Sequence, residues 1–278
     1  MRITFFILLF ALFSFAQQER LFTYGSWNIR WEGKDDAKKG DVWEKRFTPI
    51  ANVIRFHDFD IIGIQEGSKG KLEKIAPLLK EYAIIRNEIN EENPILYKKT
   101  LFKLLDKGRF YLSEKPNTRG KGWDAQRVRF CTWAKMQTGE NIFYIFNTHF
   151  DYRGNQAKKE SVELIKRMVP AIAQGFPFFL AGDFNLAESS SGYKNLAQPP
   201  FQDAKHIADF TYEPKKSYNY FDPQRYSPWD LDHVFINKGM HILRYGVLNE
   251  TYYDGEKYRY PSDHQPLLIK FYFSSEQK

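Results

Sequence analysis

Hydrophobic residues in this chain form short runs of strand length, separated by segments in which apolar positions have a helical spacing. Seven runs rich in β-branched and aromatic residues predict strands: Leu21–Trp27, Asp60–Ile64, Phe130–Lys135, Ile142–Asn147, Phe176–Ala181, Asp232–Ile236 and Leu267–Phe273. Three segments predict amphipathic helices: Trp43–Phe56, Lys71–Tyr82 and Gln156–Ala173. Strands and helices mixed in this order predict a layered α/β protein with sheets inside and helices outside.

One long segment lacks this periodicity. Residues Tyr193–Pro228 are rich in Pro, Asn, Lys and aromatic residues, which predicts long loops with a short strand or helix at most. No Pro/Gly/Ser-rich linker and no abrupt change of composition divides the chain. We therefore predict a single domain over residues 17–278.

The first residues have the pattern of a secretory signal peptide. Met1 and Arg2 precede an apolar stretch, Ile3–Phe15, which ends at the small residue Ala16. This predicts cleavage after Ala16 and an exported protein, either periplasmic or secreted. The alternative is a membrane anchor, but about 13 apolar residues are fewer than the roughly 20 that cross a bilayer, so we expect no stable anchor.

Cysteine content and charge add two constraints. Cys131 is the only cysteine, which excludes an intrachain disulfide, and its apolar surroundings predict a small buried residue and not a nucleophile. The formal net charge of +7 at pH 7 suits an anionic substrate. Because Lys and Arg residues are dispersed along the chain, the same charge also fits an ordinary solvated surface.

Compact polar clusters follow most of the predicted strands or precede the last one: Ser26–Arg30, Gly63–Glu66, Asn147–Asp151, Ala181–Asn185, Asp230–His233 and Tyr260–His264. Side chains two positions apart on a strand share a face, so His149 with Asp151, and Asp183 with Asn185, would project together. Gly182 would let a ligand approach the backbone. Buried carboxylates are costly unless paired or metal-bound, so these acids need cations or histidines nearby. Six clusters predict one composite site.

In chain order, these motifs resemble those of the endonuclease/exonuclease/phosphatase superfamily, which has the deoxyribonuclease I-like fold: Asn28, Gln65-Glu66, Asn147-Thr148-His149, Gly182-Asp183-Phe184-Asn185, Leu231-Asp232-His233 and Ser262-Asp263-His264. The resemblance covers nearly all of residues 21–273. It implies an α/β (α+β) four-layer sandwich, in which two facing mixed β-sheets are flanked by helices. It also implies a divalent-metal-dependent hydrolase of phosphate ester bonds.

The resemblance implies a role for each polar residue, beginning with the metal and the water. Asn28, Glu66 and Asp263 would lie at a Mg²⁺ site, which Mn²⁺ or Ca²⁺ could also occupy, and one or two metal ions could act. Asp183 would orient or deprotonate the attacking water. Asn185 would hold this water and the phosphate by hydrogen bonds.

The remaining residues would act on the phosphate group. Asp232 would fix the tautomer and the positive charge of His264, and His149 would bind a phosphate oxygen or assist the leaving group. Arg129 is the candidate phosphate-binding arginine, with a surface role as its alternative. Asp151 would contact substrate, or would only support His149 or cap the next helix.

The sequence leaves three hypotheses for the function. The first is a phosphodiesterase or nuclease outside the cytoplasm, because the basic loop Lys115–Asp124 with Trp123 could follow a nucleic-acid backbone and stack a base. The second is a phosphatase or a phospholipase-like enzyme of inositol-phosphate or sphingomyelinase type, for which the aromatic segment Tyr218–Trp229 could contact a membrane. The third is a catalytically silent polyanion-binding module, which the complete set of acids, amides and histidines disfavours. We expect a monomer.

Overall fold

The computed structural model describes residues 20–86 and 92–274. The predicted signal peptide, residues 1–16, lies outside the described residues and stays a prediction. Among the helices of the described ranges, none is both long and apolar enough to cross a membrane.

Strands make up most of the regular structure. In chain order they are β1 (Phe22–Asn28), β2 (Ile61–Gln65), β3 (Tyr82–Ile85), β4 (Ile95–Lys98), β5 (Lys103–Tyr111), β6 (Phe130–Thr138), β7 (Asn141–His149), β8 (Phe178–Asp183), β9 (Gln202–Asp203), β10 (Phe210–Tyr212), β11 (Asp232–Ile236), β12 (Met240–Val247), β13 (Tyr252–Tyr253), β14 (Tyr258–Arg259) and β15 (Leu267–Phe273). The helices are α1 (Asp36–Lys39), α2 (Trp43–Phe56), α3 (Lys69–Ile75), α4 (Asn155–Ala173), α5 (Ser191–Leu196) and α6 (Ala204–Ile207).

Two mixed sheets face each other. One has seven strands in the order β10-β12-β15-β1-β2-β4-β3, and the other has six in the order β5-β6-β7-β8-β11-β9. Residues such as Tyr24 and Phe179 fill the space between the sheets. Ile50 of α2 packs with the outer face of the first sheet, and Ile165 of α4 packs with that of the second. These layers confirm the predicted sandwich of two sheets flanked by helices.

Two segments differ from their predicted structure. The helix predicted over Lys71–Tyr82 is split into α3, a 3-10 turn at Ala76–Leu78 and the start of β3. Pro77 lacks the N–H that a continuing helix needs, and the pairing of β3 with β4 then determines the conformation of Tyr82. The segment Tyr193–Pro228 contains more than one short element, because most of α5 and all of β9, α6 and β10 lie there. These elements form because they pack on α4, β11 and β12.

Buried polar side chains join the two sheets below the polar clusters. The Nε2 atom of Gln65 donates to Asn147 Oδ1 at 2.7 Å and to Ser26 Oγ at 3.2 Å. Asn147 Nδ2 donates to the carbonyl oxygens of Ile64 at 2.8 Å and Pro94 at 2.9 Å. Buried amides with all these partners favour one relative position of the sheets, and this position brings the polar strand ends together.

Candidate active site

The strand register collects the central residues of the site. His149 pairs with Asp183 across the parallel strands β7 and β8, and Asp232 pairs with Asp183 across the antiparallel strands β11 and β8. From the facing sheet, Asn28 at the end of β1 donates from Nδ2 to Asp183 Oδ2 at 3.0 Å. Polar groups from both sheets therefore meet at one end of the sandwich.

A cleft of about 610 Å³ lies at this end of the sandwich. Eight of the ten predicted site residues line it: Asn28, Glu66, Arg129, His149, Asp183, Asn185, Asp263 and His264. The other two, Asp151 and Asp232, are buried at 2% and 1% exposure and do not line it. The cleft thus brings together residues that are spread over most of the chain.

Asp183 is the centre of the hydrogen-bond network. Its Oδ2 atom, which accepts from Asn28, lies 3.3 Å from His149 Nε2 and 3.8 Å from His264 Nε2. Its Oδ1 atom accepts the backbone N–H of Asn185 at 2.9 Å. The Nδ2 atom of Asn185 donates in turn to the carbonyl oxygen of Phe150 at 3.1 Å. This carboxylate is positioned from both sheets, as the group that accepts a proton from water must be.

The two histidines of the cleft have opposite electrostatic settings. Burial by itself would lower the pKa of His264, but the carboxylates of Asp232 and Asp183 raise it well above the ordinary value, which favours imidazolium. Burial lowers the pKa of His149, and the guanidinium of Arg129 lowers it further. The contact between His149 and Asp183 therefore involves a neutral imidazole and is not an ion pair. Burial raises the pKa of Asp183 and so makes it a stronger base.

Asp232 holds His264 from behind the cleft. Asp232 Oδ2 lies 2.7 Å from Nδ1 of His264, so the other ring nitrogen of His264, Nε2, points towards Asp183. The backbone also fixes this histidine, because the indole N–H of Trp27 donates to its carbonyl oxygen at 2.9 Å. The ring of Tyr218 packs edge-on against the imidazole at 5.1 Å between centroids. This is the arrangement of an acid that orients a charged histidine.

Oxygen ligands for a divalent cation lie beside this network. Asn28 Nδ2 also lies 3.3 Å from Glu66 Oε1, and Arg30 Nη1 lies 2.8 Å from Asp263 Oδ2. The backbone N–H of Trp31 donates to the other oxygen of Glu66. Burial raises the pKa of Glu66, and the nearby charge of Asp263 raises it further, so the two acids repel each other. Two carboxylates and an amide offer the oxygen ligands that a hard divalent ion binds.

A second group of side chains also has the spacing of metal ligands. One ligand atom each from Asp183, Asp232 and His264 lies within 4.8 Å of the others, so this buried group could hold an ion. His264 Nδ1 and Asp232 Oδ2 already share a hydrogen bond, however, and Asp232 does not line the cleft. We therefore interpret these residues as an acid–histidine pair next to a basic carboxylate.

Backbone strain is concentrated around the cleft. Arg30, Glu66 and Asn185 have positive φ angles of 65°, 59° and 49°. A non-glycine residue in this left-handed region costs roughly 1–3 kcal/mol, and such residues cluster at functional sites. Gly182 has a φ of 148°, and a Cβ there would lie 1.9 Å from the carbonyl oxygen of Thr148. Packing of β8 against β7, and not the predicted approach of a ligand, therefore requires this glycine.

The predicted substrate contact of Asp151 is not supported. Its carboxylate accepts four backbone N–H groups at 2.9 to 3.2 Å, from Gln126, Arg127, Arg153 and Gly154. It also lies 3.8 Å from Nε of Arg129, which does line the cleft. Asp151 thus supports the start of α4 and the loop before β6, which is the supporting role that the sequence left as an alternative.

The sequence interpretation missed the aromatic rim of the cleft, to which Trp31, Tyr152, Tyr218, Tyr220 and Trp229 contribute. The guanidinium of Arg127 lies 5.0 Å from the ring centroid of Trp31, and Trp229 Nε1 donates to the hydroxyl of Tyr220 at 3.1 Å. Two signals could have indicated this rim. Trp31 follows the Asn28 motif directly, and the segment Tyr218–Trp229 is dense in aromatic residues.

The basic loop Lys115–Asp124 is not part of the cleft, because none of its residues lines it. Trp123, predicted as an exposed stacking residue, is half-buried and packs against the core between the six-stranded sheet and α4. Its backbone N–H lies 3.2 Å from a carboxylate oxygen of Glu114. Base stacking by Trp123 was one of the roles that the sequence left open for this loop, and the position of the side chain does not support it.

Comparisons with known proteins agree with this geometry. The model of the Endonuclease/Exonuclease/phosphatase family matches residues 25–264. Two solved Bacteroides thetaiotaomicron structures are similar. An endonuclease/exonuclease/phosphatase family protein is 31% identical, with a TM-score of 0.88 over 92% of this chain and 99% of its own. A mannosyl-6-phosphatase is 32% identical, with a TM-score of 0.87, and the match covers 91% of this chain and 100% of the phosphatase chain.

More distant structures share the fold alone. Danio rerio TDP2 complexed with single-strand DNA product is 14% identical, with a TM-score of 0.71 over 91% of this chain and 99% of its own. A search of curated proteins gives no match. The family match covers the residues from β1 to His264, which include every strand end that contributes to the cleft. The chain therefore belongs to the endonuclease/exonuclease/phosphatase family.

Proposed function

We propose that this protein is a Mg²⁺-dependent phosphatase that removes phosphate from a small polyhydroxylated molecule, such as a sugar phosphate, outside the cytoplasm. Members of its family are phosphoric ester hydrolases and generally use a divalent metal ion. One observation carries the choice of substrate. Five aromatic side chains, those of Trp31, Tyr152, Tyr218, Tyr220 and Trp229, line the cleft around Asp183, together with the arginines Arg30, Arg127 and Arg129, whose charge suits a phosphate group.

The size and chemistry of the cleft support a small substrate. Its volume of about 610 Å³ lies within the roughly 300–1,000 Å³ that small-molecule sites have. Trp31, Tyr220 and Trp229 offer flat apolar faces with polar edges. A sugar ring has the matching pattern, because its C–H groups form faces and its hydroxyl groups form edges. A similar structure at 32% identity is a mannosyl-6-phosphatase, which agrees with this substrate class.

In the proposed reaction, a water molecule attacks phosphorus while Asp183 accepts its proton. The ester P–O bond breaks, and the oxygen of the leaving alcohol departs with the bonding electrons and takes up a proton from solvent. Asn185 orients this water, and its backbone N–H holds Asp183. The charged imidazole of His264 stabilises the negative charge that develops on the phosphate oxygens, and neutral His149 can donate from Nε2 to the same group. Arg129 adds a buried positive charge at the cleft wall.

Asn28, Glu66 and Asp263 would hold the metal ion. When bound, it would polarise a phosphate oxygen and neutralise part of the phosphate charge. Mg²⁺ is our choice because all the ligand atoms are oxygens, and Mn²⁺ and Ca²⁺ are its alternatives.

The competing hypotheses have weaker support. The nuclease hypothesis loses its main support from the sequence, because the loop Lys115–Asp124, which could have followed a nucleic-acid backbone, lies away from the cleft. A sphingomyelinase-type enzyme should expose an apolar hairpin, but Tyr218, Tyr220 and Trp229 of the aromatic segment face the cleft. A silent polyanion-binding module would have no need for Asp183 and its buried network.

The test is a substrate screen with the purified protein. Mannose 6-phosphate, nitrophenyl phosphate, bis-nitrophenyl phosphate, DNA, RNA and sphingomyelin would each be incubated with Mg²⁺, Mn²⁺, Ca²⁺ or EDTA. We expect phosphate release from the monoesters, its loss in EDTA, and little cleavage of the diesters. Cleavage of DNA or bis-nitrophenyl phosphate without monoester hydrolysis would contradict the proposal, and inactivity on every ester would favour the binding module.

Export and a monomeric state belong to the same proposal. Export is supported by the pattern Met1-Arg2, Ile3–Phe15 and Ala16. Expression of the full chain in a Gram-negative host should give a periplasmic product that begins at Gln17 and elutes as a monomer. A product that retains Met1 would refute cleavage of a signal peptide.

A further inference from the structure

A second groove continues from the catalytic cleft. It has a volume of about 690 Å³ and shares three lining residues with the cleft, namely Asn185, Trp229 and Leu231. Asn185 donates its backbone N–H to Asp183, so the groove begins beside the reacting centre. The groove is therefore next to the cleft, separated from it only by the wall that Asn185, Trp229 and Leu231 form.

The groove has a positive and hydroxyl-rich lining. Lys158 and Lys159 of α4 line one side, and Ser189 and Ser191 line the other. The first turn of α4 contains no acidic residue, and within residues 20–86 and 92–274 neither lysine lies within 4.0 Å of a carboxylate oxygen. Two ammonium groups next to hydroxyl donors form a surface that attracts an anion.

Other lysines near the same loops are neutralised. Lys205 Nζ lies 2.5 to 3.3 Å from carboxylate oxygens of Glu188, Glu213 and Asp230. Lys216 also pairs with Asp230, at 2.8 Å. Lys158 and Lys159 thus differ from Lys205 and Lys216, whose charges are compensated by carboxylates.

The ion-pair network also stabilises the wall that the groove and the cleft share. Asp230 Oδ1 accepts the backbone N–H of Ser217 at 3.0 Å, and Ser217 Oγ accepts that of Leu231 at 2.9 Å. The indole of Trp229, next to Asp230, is held by Tyr220 and is 44% exposed. The passage past Trp229 therefore has a defined shape.

We propose that this groove binds a second anionic group on the leaving group, so that preferred substrates carry an anion at each end, as a sugar bisphosphate does. The inference rests on the proposed phosphatase function and deepens it. One phosphate would react at Asp183, while the other would accept hydrogen bonds from Lys158, Lys159 and the serine hydroxyls. The second phosphate is not cleaved, because it lies away from the base.

The first test is a ratio of specificity constants. The value of kcat/KM would be measured for mannose 1,6-bisphosphate and for mannose 6-phosphate in wild type, in the double variant Lys158→Gln/Lys159→Gln and in Arg167→Gln. Arg167 is exposed on the same helix and does not line the groove. We expect the ratio to favour the bisphosphate about tenfold in wild type and in Arg167→Gln, and to fall towards one in the double variant.

The second test separates this inference from the phosphatase function. Binding of both sugars to Asp183→Asn protein would be followed by calorimetry, with and without the two lysine substitutions. Tighter bisphosphate binding that depends on the lysines would support the groove even if no monoester is hydrolysed. If monoesters are hydrolysed but the ratio is near one in all three proteins, the phosphatase function stands and the groove proposal is overturned.

Discussion

Two buried aspartate–histidine pairs lie on opposite faces of β11, and only one of them belongs to the active site. Asp232 Oδ2 lies 2.7 Å from His264 Nδ1, and Asp203 Oδ2 lies 3.6 Å from His233 Nδ1. Asp232 and His233 are consecutive residues of one strand, so their side chains point to opposite sides. In both pairs the aspartate raises the pKa of the histidine against the effect of burial.

The second ring nitrogen distinguishes the pairs. His264 lines the cleft, and its Nε2 atom is directed towards Asp183. His233 does not line the cleft, and its Nε2 atom lies 2.8 Å from the carbonyl oxygen of Leu186, with Tyr193 packed 4.7 Å from its ring centroid. The same chemistry is thus structural where both nitrogens are held inside the protein, and in the proposed mechanism it is catalytic where one ring nitrogen faces the cleft. The predictions below test this difference, from the largest effect to the smallest.

Asp183→Asn should have the largest effect on activity. The amide keeps the size of the side chain but accepts no proton, so we expect kcat to fall about 10³-fold or more. The free energy of unfolding should change little, because a buried carboxylate with a raised pKa contributes little stability. Steady-state kinetics and urea unfolding would measure the two quantities. An active variant would show that Asp183 is not the base.

Asp232→Asn should remove the charge that keeps His264 protonated. We expect kcat to fall about 10²-fold, since the oriented imidazolium is lost while Asp183 remains. The protein should stay folded by circular dichroism. If the free energy of unfolding falls and kcat does not, the Asp232–His264 pair has only a structural role, like the Asp203–His233 pair.

Asp203→Asn is the matched change in the structural pair. Asp203 also accepts from the hydroxyl of Tyr193 at 2.8 Å, so the variant should lose about 2 kcal/mol of unfolding free energy. We expect kcat and KM to change less than about twofold, because neither His233 nor Asp203 reaches the cleft. Urea unfolding and steady-state kinetics measure both effects. A large loss of kcat in a folded variant would erase the distinction between the pairs.

Trp31→Ala should show that the aromatic rim of the cleft contributes to activity in a different way from the two aspartate–histidine pairs. The rim provides binding surface and no proton, so we expect KM to rise about tenfold while kcat changes little. Phe56→Ala is the control, because Phe56 is an exposed aromatic residue on α2 that does not line the cleft. Steady-state kinetics with mannose 6-phosphate would measure both. A fall in kcat without a change in KM would place Trp31 with the catalytic residues.

The smallest expected effect is the pH dependence of stability that the structural pair, Asp203 and His233, should cause. The pKa of His233 is raised, so its contribution is complete below about pH 6.5 and is lost as pH rises through the folded value. The pKa of Asp203 is lowered, so its contribution is present above about pH 4 and is lost as pH falls through the folded value. The stability difference between wild type and Asp203→Asn should therefore be largest between about pH 4 and 6.5. Urea unfolding at several pH values would measure this difference, and a difference that stays constant above about pH 4 would show that His233 stays neutral.

The sequence by itself determined the sequence-local features of the site. Alternating and apolar runs marked the strands that contribute Asn28, His149 and Asp183, and the polar clusters marked where those strands end. These patterns are readable because the strand period depends only on neighbouring residues. Eight of the ten residues that the family resemblance selected line the cleft.

Only the tertiary structure decided which of similar residues act. It placed Asp151 under four backbone N–H groups, turned Trp123 into the core and brought Trp31 to the rim. It also separated His264 from His233, although each has a buried aspartate. The physical reason is that access and burial depend on residues far apart in the chain. A local pattern predicts that a carboxylate or imidazole ends a strand, but the packing of the two sheets and their loops determines whether it meets substrate or another side chain.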